Sequence, residues 1–329
     1  MTIDTLPEEP YLGIPTAPSE IDAGLRALWK ENETATRASL MNLAIYSESS
    51  EALRINTQCV HQLTLEHACR VLLIEARLTS PSAPTDAWIT AHCSLRPDGR
   101  KAVCCEQLAF RTHGNSPARL TNLLFANLDS DLPLVLWWQA SLSGHFDPRL
   151  YTRIDRLIID SQAWEEPTLE FERLLAAYAD RTQHFVIHDL NWTRTFHLRL
   201  AIAAGFEDPI ALKALGSLQS IQITHSTGYE TTASLLGAWL LGRLPTQTPP
   251  KLLLKESVGS HPVTTIVFNA MSENLIIERT NDRFYTWIGT GTPRHFPADK
   301  NDLSLLLIDQ LGRGGNNAAY LQVAKRAMP

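Results

Sequence analysis

No stretch of this chain is long and apolar enough to cross a bilayer. Its longest apolar runs, at 134–138 and 235–241, fall far short of the roughly 20 residues that a spanning helix needs. The first ten residues, MTIDTLPEEP, lack the basic-then-apolar pattern of a secretion signal. A cytoplasmic protein with no membrane partner is expected. Basic residues are outnumbered, 29 Lys and Arg against 35 Asp and Glu. No basic patch is interleaved with aromatics, so non-specific nucleic-acid binding is excluded. Cysteine is sparse: Cys59, Cys69, Cys93, Cys104 and Cys105, all in the first third of the chain. An odd count without a CxxC pair fits neither a secreted disulfide framework nor a zinc site.

The motifs of common catalytic machinery are missing as well. There is no GxGxxG after a strand, no GxxxxGK[ST], no GxSxG elbow and no HExxH. The glycine run Gly312-Arg313-Gly314-Gly315 follows a helix instead of a strand, which reads as a helix stop. His184 and His188 flank an extended stretch, and His61 and His67 lack a third ligand. Asp129 and Asp131 make a DxD that is ordinary loop chemistry beside a strand. No cofactor and no metal are expected. There is no internal repeat and no low-complexity tract.

What is present is a globular α/β pattern. At 329 residues, with 44% hydrophobic and 19% charged content, the chain can bury a substantial core. Its most informative stretch is DLPLVLWW at 131–138. Pro133 lacks an N–H and suits the first residue of a strand. The unbroken apolar run after it suits a strand covered on both faces. Adjacent strand residues point to opposite faces, so Trp137 and Trp138 cannot share a pocket. Each would contribute up to about 5 kcal/mol if buried. Trp137 is expected in the core, and Trp138 either there or under a partner.

In order, residues 1–20, with Pro7, Pro10, Pro15 and Pro18, read as an extended lead-in. Strands are expected near 40–46, 70–78, 88–95, 101–111, 134–138 and 157–160. Helices are expected near 21–38, 51–65, 118–128 and 165–179. The turn signal Pro97-Asp98-Gly99 joins two of the strands as a hairpin. This alternation describes an N-terminal mixed-sheet α/β layer domain over 21–184. A smaller, strand-rich α+β domain follows over 185–329. There, a helix is expected from about 189 to 206 with Asp208-Pro209 as its stop. Strands at 218–224, 251–256, 263–269, 274–279 and 284–288 accompany a helix at 230–241. The last four strands are spaced like an antiparallel meander, and helices close the chain at 302–311 and 316–326.

Two groups of residues stand out. Asp189-Leu190-Asn191-Trp192-Thr193-Arg194 packs an acid, an amide, a tryptophan and an arginine into one helix start. It reads as a capping and packing device or as a partner-binding hot spot, since Trp and Arg dominate such spots. The partner-binding candidates are Trp138, Trp192, Arg194, Asp189 and Asn191. Cys104 and Cys105 are neighbours in a strand and face opposite sides. They read as buried thiols, with redox control as the functional alternative and no pairing chosen by spacing.

DLPLVLWW at 131–138, DRLIIDS at 155–161 and DLNWTR at 189–194 occur in that order, preceded by RVLLI at 70–74 and AVCCEQ at 102–107. Together they resemble the glucose-6-phosphate dehydrogenase assembly protein family, OpcA, across roughly residues 37–244. The resemblance implies a non-catalytic partner that binds oligomeric glucose-6-phosphate dehydrogenase and promotes its assembly or activity. It also implies a link to thioredoxin-type redox control. The rival reading is an enzyme or sensor that takes a sugar phosphate in an α/β crevice, with Arg70, Arg153 and Arg156 as phosphate contacts.

Overall fold

The computed structural model describes residues 11–30, 36–95, 101–180, 185–244, 249–289, 291–313 and 318–327. The chain divides into two units, one built from Met1–Ile159, Ala176–His188 and Leu307–Gly315, the other from Asp160–Leu175, Asp189–Leu306 and Asn316–Pro329.

The first unit is built on a nine-stranded sheet. Its elements are β1 (Ile14–Thr16), α1 (Ile21–Lys30), β2 (Thr36–Arg37), β3 (Asn42–Ser47), α2 (Ser50–Glu66), β4 (Arg70–Arg77), β5 (Asp86–Leu95), β6 (Lys101–His113), α3 (Pro117–Ala126), β7 (Leu134–Trp138), α4 (Pro148–Tyr151), β8 (Arg156–Ile159), part of α5 (Pro167–Ala179) and β9 (Val186–Asp189). The main path runs β1-β5-β6-β4-β3-β7-β8-β9. β3 pairs in parallel with β4 on one side and with β7 on the other. Every residue of β3 and β7 is buried, as an apolar run in a sheet covered on both faces requires.

Of the expected extended lead-in, residues 1–10 lie outside the described residues, and residues 11–20 carry a strand and a short 3-10 turn. β1 adds to the sheet edge with Pro15 opposite Trp88, and an edge strand is where a proline inside a sheet is tolerated. Gly13 enters that strand at φ 108°, and a Cβ there would sit 2.3 Å from the carbonyl oxygen of Ile89. The helix expected over 21–38 ends at Lys30, and Thr36–Arg37 pairs with β6 as a strand.

The second unit holds the remaining elements: α6 (Leu190–Thr193), α7 (Phe196–Gly205), α8 (Pro209–Ala214), β10 (Leu218–Ser226), α9 (Glu230–Arg243), β11 (Lys251–Ser257), β12 (Val263–Ala270), β13 (Asn274–Arg279), β14 (Phe284–Ile288), β15 (Arg294–Pro297), part of α10 (Leu303–Gly312) and α11 (Ala318–Ala327). Its six-stranded sheet runs β11-β10-β12-β13-β14-β15. One face carries the core: Ile221, Ile223, Ile266, Phe268, Leu275, Ile277, Tyr285 and Trp287 meet Leu198 and Ile202 of α7 and Leu236 and Leu240 of α9.

Three expectations give way here. The helix expected to run to about 206 breaks into α6 and α7. Asp208-Pro209 begins a helix as well as ending one: Asp208 Oδ1 accepts from the N–H groups of Ile210 and Ala211, and Pro209 occupies the first turn, where a proline's missing N–H costs nothing. The strand at 251–257 does not join the meander. It pairs in parallel with β10, because α9 is the crossover that a parallel pair needs. The meander runs instead through β12, β13, β14 and the short β15.

Candidate functional site

The parallel strands of the first unit follow the order β6-β4-β3-β7-β8-β9. Taken in chain order this is the strand order of the doubly wound dinucleotide-binding sheet, whose ligand lies beyond the strand ends where the order reverses. That switch point falls between β3 and β7. The β3–α2 loop, which in such a sheet carries the glycines that admit a pyrophosphate, here reads Ser47-Glu48-Ser49-Ser50-Glu51.

Side chains near this position pack on one another. Tyr46, at the end of β3, stacks on Trp138 at the end of β7, with ring centroids 4.0 Å apart and planes 12° from parallel. Phe146 closes the far side of Trp138 edge-on at 5.3 Å. The Trp138 Nε1–H donates to the carbonyl of Ser141 at 3.1 Å. Beyond the rings, Asn56 of α2 and Gln139 exchange two amide hydrogen bonds of 2.7 and 2.9 Å. The first turn of α2 is already served, since Ser49 accepts from the N–H of Ala52. Glu48 accepts from the Tyr46 hydroxyl at 2.9 Å, and burial first, then Glu48, pushes the Tyr46 hydroxyl well above the usual tyrosine range. Two carboxylates, Glu48 and Glu51, stand where a pyrophosphate would need donors. The residues present do not fit a dinucleotide.

The three arginines considered as phosphate contacts are committed elsewhere. Arg70 pairs with Glu106 at 3.1 Å. Arg153 lies over the Phe125 ring, 4.9 Å from its centroid. Arg156 donates to the carbonyls of Gln310 and Leu311. They do not converge on a common position. Among the described residues, no group of three or more His, Cys, Asp or Glu is arranged to hold a metal, and no helix is long and apolar enough to cross a membrane.

The Asp189–Arg194 stretch lies in the second unit, where it is the hub of a buried polar network. Asp189 is 1% exposed. Its carboxylate accepts from the Ser161 N–H at 3.0 Å, the Ser161 hydroxyl at 2.6 Å, the Asn191 N–H at 2.9 Å and the Tyr320 hydroxyl at 3.0 Å. Asn191 donates to the Ser161 hydroxyl and accepts from Thr232 of α9. Arg194 grips both oxygens of Asp160 and donates to Asn301, which in turn donates to Tyr229. Trp192 lies against the Arg199 guanidinium, 3.4 Å from its ring centroid, and against Tyr320 at 6.1 Å. The motif thus gathers the 3-10 turn at Ser161–Ala163 with helix and loop segments that are far apart in sequence.

The structure places the five partner-binding candidates inside the chain. Trp138, Trp192, Arg194, Asp189 and Asn191 are 1%, 6%, 6%, 1% and 1% exposed. Each packs against other segments of its own chain. The cysteine reading also changes. Cys104 forms a disulfide with Cys93 across the β5–β6 pair, with Cα atoms 4.0 Å apart. Cys105 is a free, buried thiol, and burial pushes it up, which makes it a poor nucleophile. A hairpin signal was available for the pair: a turn centred between Asp98 and Gly99 sets Cys93 opposite Cys104. The turn itself lies outside the described residues.

Burial first, and then the Asp160 carboxylate, push Asp189 up to about 6, while the Ser161 and Asn191 donors hold it from rising further. Folding therefore favours its protonated form. That contribution is fully present below the ordinary carboxylate value near 3.8 and is lost as pH rises through about 6. The second unit is expected to lose about 2–3 kcal/mol of stability over that window. Asp299, also pushed up, first by burial, adds a slope of the same sign. Urea unfolding at pH 4.5 and 6.5 checks this: Asp189→Asn should flatten the difference without abolishing it.

Two consecutive family domains match the chain. One, described as the glucose-6-phosphate dehydrogenase subunit N-terminal domain, covers residues 60–176, and its C-terminal counterpart covers residues 186–324. The chain belongs to the OpcA family. This places it among proteins tied to glucose-6-phosphate dehydrogenase as assembly factors or subunits. No curated protein matches this OpcA chain by sequence. Among solved structures, an oxidoreductase from Sinorhizobium meliloti aligns over 88% of this chain and 87% of its own, at 11% identity and a TM-score of 0.47. The apo scyllo-inositol dehydrogenase from Lactobacillus casei aligns over 88% and 94%, at 11% identity and 0.44. Likeness at this level says nothing about the chemistry of this OpcA.

Proposed function

We propose that this OpcA is a non-catalytic partner of glucose-6-phosphate dehydrogenase. It binds the oligomeric enzyme in the cytoplasm, favours its active state and so supports the oxidative pentose phosphate pathway. The observation that carries the reading is the switch point. The chain has a dinucleotide-binding strand order, yet at the switch point Tyr46 stacks on Trp138 and Asn56 bonds to Gln139, and the loop carries carboxylates in place of glycines. The family domains supply the partner's identity. An activator works by binding the active state more tightly than the inactive one. A coupling of about 1–3 kcal/mol shifts affinity about 5–150-fold.

The test is dehydrogenase turnover and native mass with and without OpcA. The expected result is a rise in turnover or a drop in KM at saturating OpcA, with no turnover by OpcA alone. Turnover by OpcA alone with a nicotinamide cofactor and a sugar phosphate would defeat the proposal. A thioredoxin-type partner fits as regulator, since a disulfide in a reducing compartment is usually a redox-sensing one. Its dithiol would become a disulfide as Cys93 and Cys104 gain the two hydrogens. Repeating the assay with reduced thioredoxin, on wild type and Cys93→Ser, checks this: only the wild type should change its activation.

A further inference from the structure

The helices α7 and α9 pack on one face of the second unit's sheet. The strand register defines what the other face presents. Leu253 of β11, Gln222 of β10, Val267 of β12, Ile276 of β13 and Ile288 of β14 are consecutive cross-strand partners, all half-buried. They form a continuous row, apolar but for Gln222. A row of polar residues borders it on each side. Lys255, Thr224, Thr265, Glu278, Thr286 and His295 make one, and Lys251, Ser220, Asn269 and Asn274 the other. An apolar centre with a polar rim is the anatomy of a protein interface.

We propose that this face seats a second copy of the same chain, packed sheet to sheet about a two-fold axis that runs along the strands between β10 and β12. The charge pattern selects a second copy over another partner. Lys255 and Glu278 lie in the same row on strands three apart, about 14 Å from each other at the usual strand spacing. Neither forms an ion pair among the described residues. They are too far apart to meet within one chain. The two-fold axis places each Lys255 against Glu278 of the other copy, and by the same operation sets Leu253 against Ile276. An interface about such an axis must be self-complementary, and this row is. Packed about that axis, β11, β10, β12 and β13 overlap. Four strands at about 4.8 Å spacing with an average run of about 25 Å present roughly 480 Å² per copy, or about 950 Å² in total, the size of a weak, transient interface.

The experiment is sedimentation equilibrium of the full chain over a concentration series, without dehydrogenase. Wild type is expected to dimerise. Lys255→Glu and Glu278→Lys should each weaken the dimer by at least about tenfold, because each sets like charges opposite one another twice. The double variant Lys255→Glu/Glu278→Lys should restore it to within about threefold of wild type. Val267→Asp, on the solvent-facing row and checked for folding by circular dichroism, should be monomeric. A wild type that stays monomeric at about 100 μM overturns the proposal, a weak dimer affinity by the usual scale. So does a double variant no better than the single ones, or a dimeric Val267→Asp. Protection of β12 and β13 amides that arises only when dehydrogenase is added would assign the face to that enzyme and also overturn the second-copy proposal.

Discussion

Replacing Asp189 by alanine is expected to cost about 3–5 kcal/mol of stability. The carboxylate accepts from four donors in a site that water does not reach. Removing it strands the N–H groups of Ser161 and Asn191 and the Tyr320 hydroxyl, and each unsatisfied buried group costs about 1–3 kcal/mol. Relief of the cost of burying the charge offsets part of the sum. Asp189→Asn should cost far less, because the Ser161 and Tyr320 hydroxyls can turn to accept from the new amide. Urea denaturation at pH 7 measures both. A loss under about 1 kcal/mol for the alanine variant would show that the network is dispensable. The functional corollary is that dehydrogenase activation per folded molecule stays unchanged in the asparagine variant, since this carboxylate is 1% exposed.

The Trp138→Ala variant tests the stack at the switch point. Truncating a buried tryptophan typically costs about 3–5 kcal/mol, and the stack on Tyr46 contributes about 0.5–1.5 kcal/mol beyond area. Differential scanning calorimetry should show the loss, with Trp138→Phe intermediate. Binding to glucose-6-phosphate dehydrogenase, measured at a temperature where the variant is folded, should keep its affinity. A drop of tenfold or more there would return Trp138 to the interface and contradict its burial. A gain of measurable nicotinamide-cofactor binding in Trp138→Ala would show that the ring itself keeps the crevice shut.

Much of this was legible in the residues. The run after Pro133 is a buried central strand because an unbroken apolar stretch has no face to offer water. The resemblance carried by DLPLVLWW, DRLIIDS and DLNWTR led to the family. The parallel β10–β11 pair was not legible, since the spacing of 251–256 to the next three strands matches a meander equally well. Nor was the role of Trp192 and Arg194. A tryptophan or an arginine buried by its own chain and one buried by a partner are the same letters. Which applies depends on Arg199, Tyr320 and Asp160 closing over them.

By itself, then, the sequence determined the element types, the central strand, the absence of nucleotide and hydrolase motifs, and the family. These depend on local periodicity, turn chemistry and ordered short motifs, which residues a few positions apart settle between them. Tertiary structure alone decided that Asp189 binds Ser161 and Tyr320, 28 and 131 positions away, and that Tyr46 and Trp138 stack across β3 and β7. Strand register also decided which side chains share the open face of the second sheet. Such contacts are set by how distant segments pack, and no spacing along the chain encodes them.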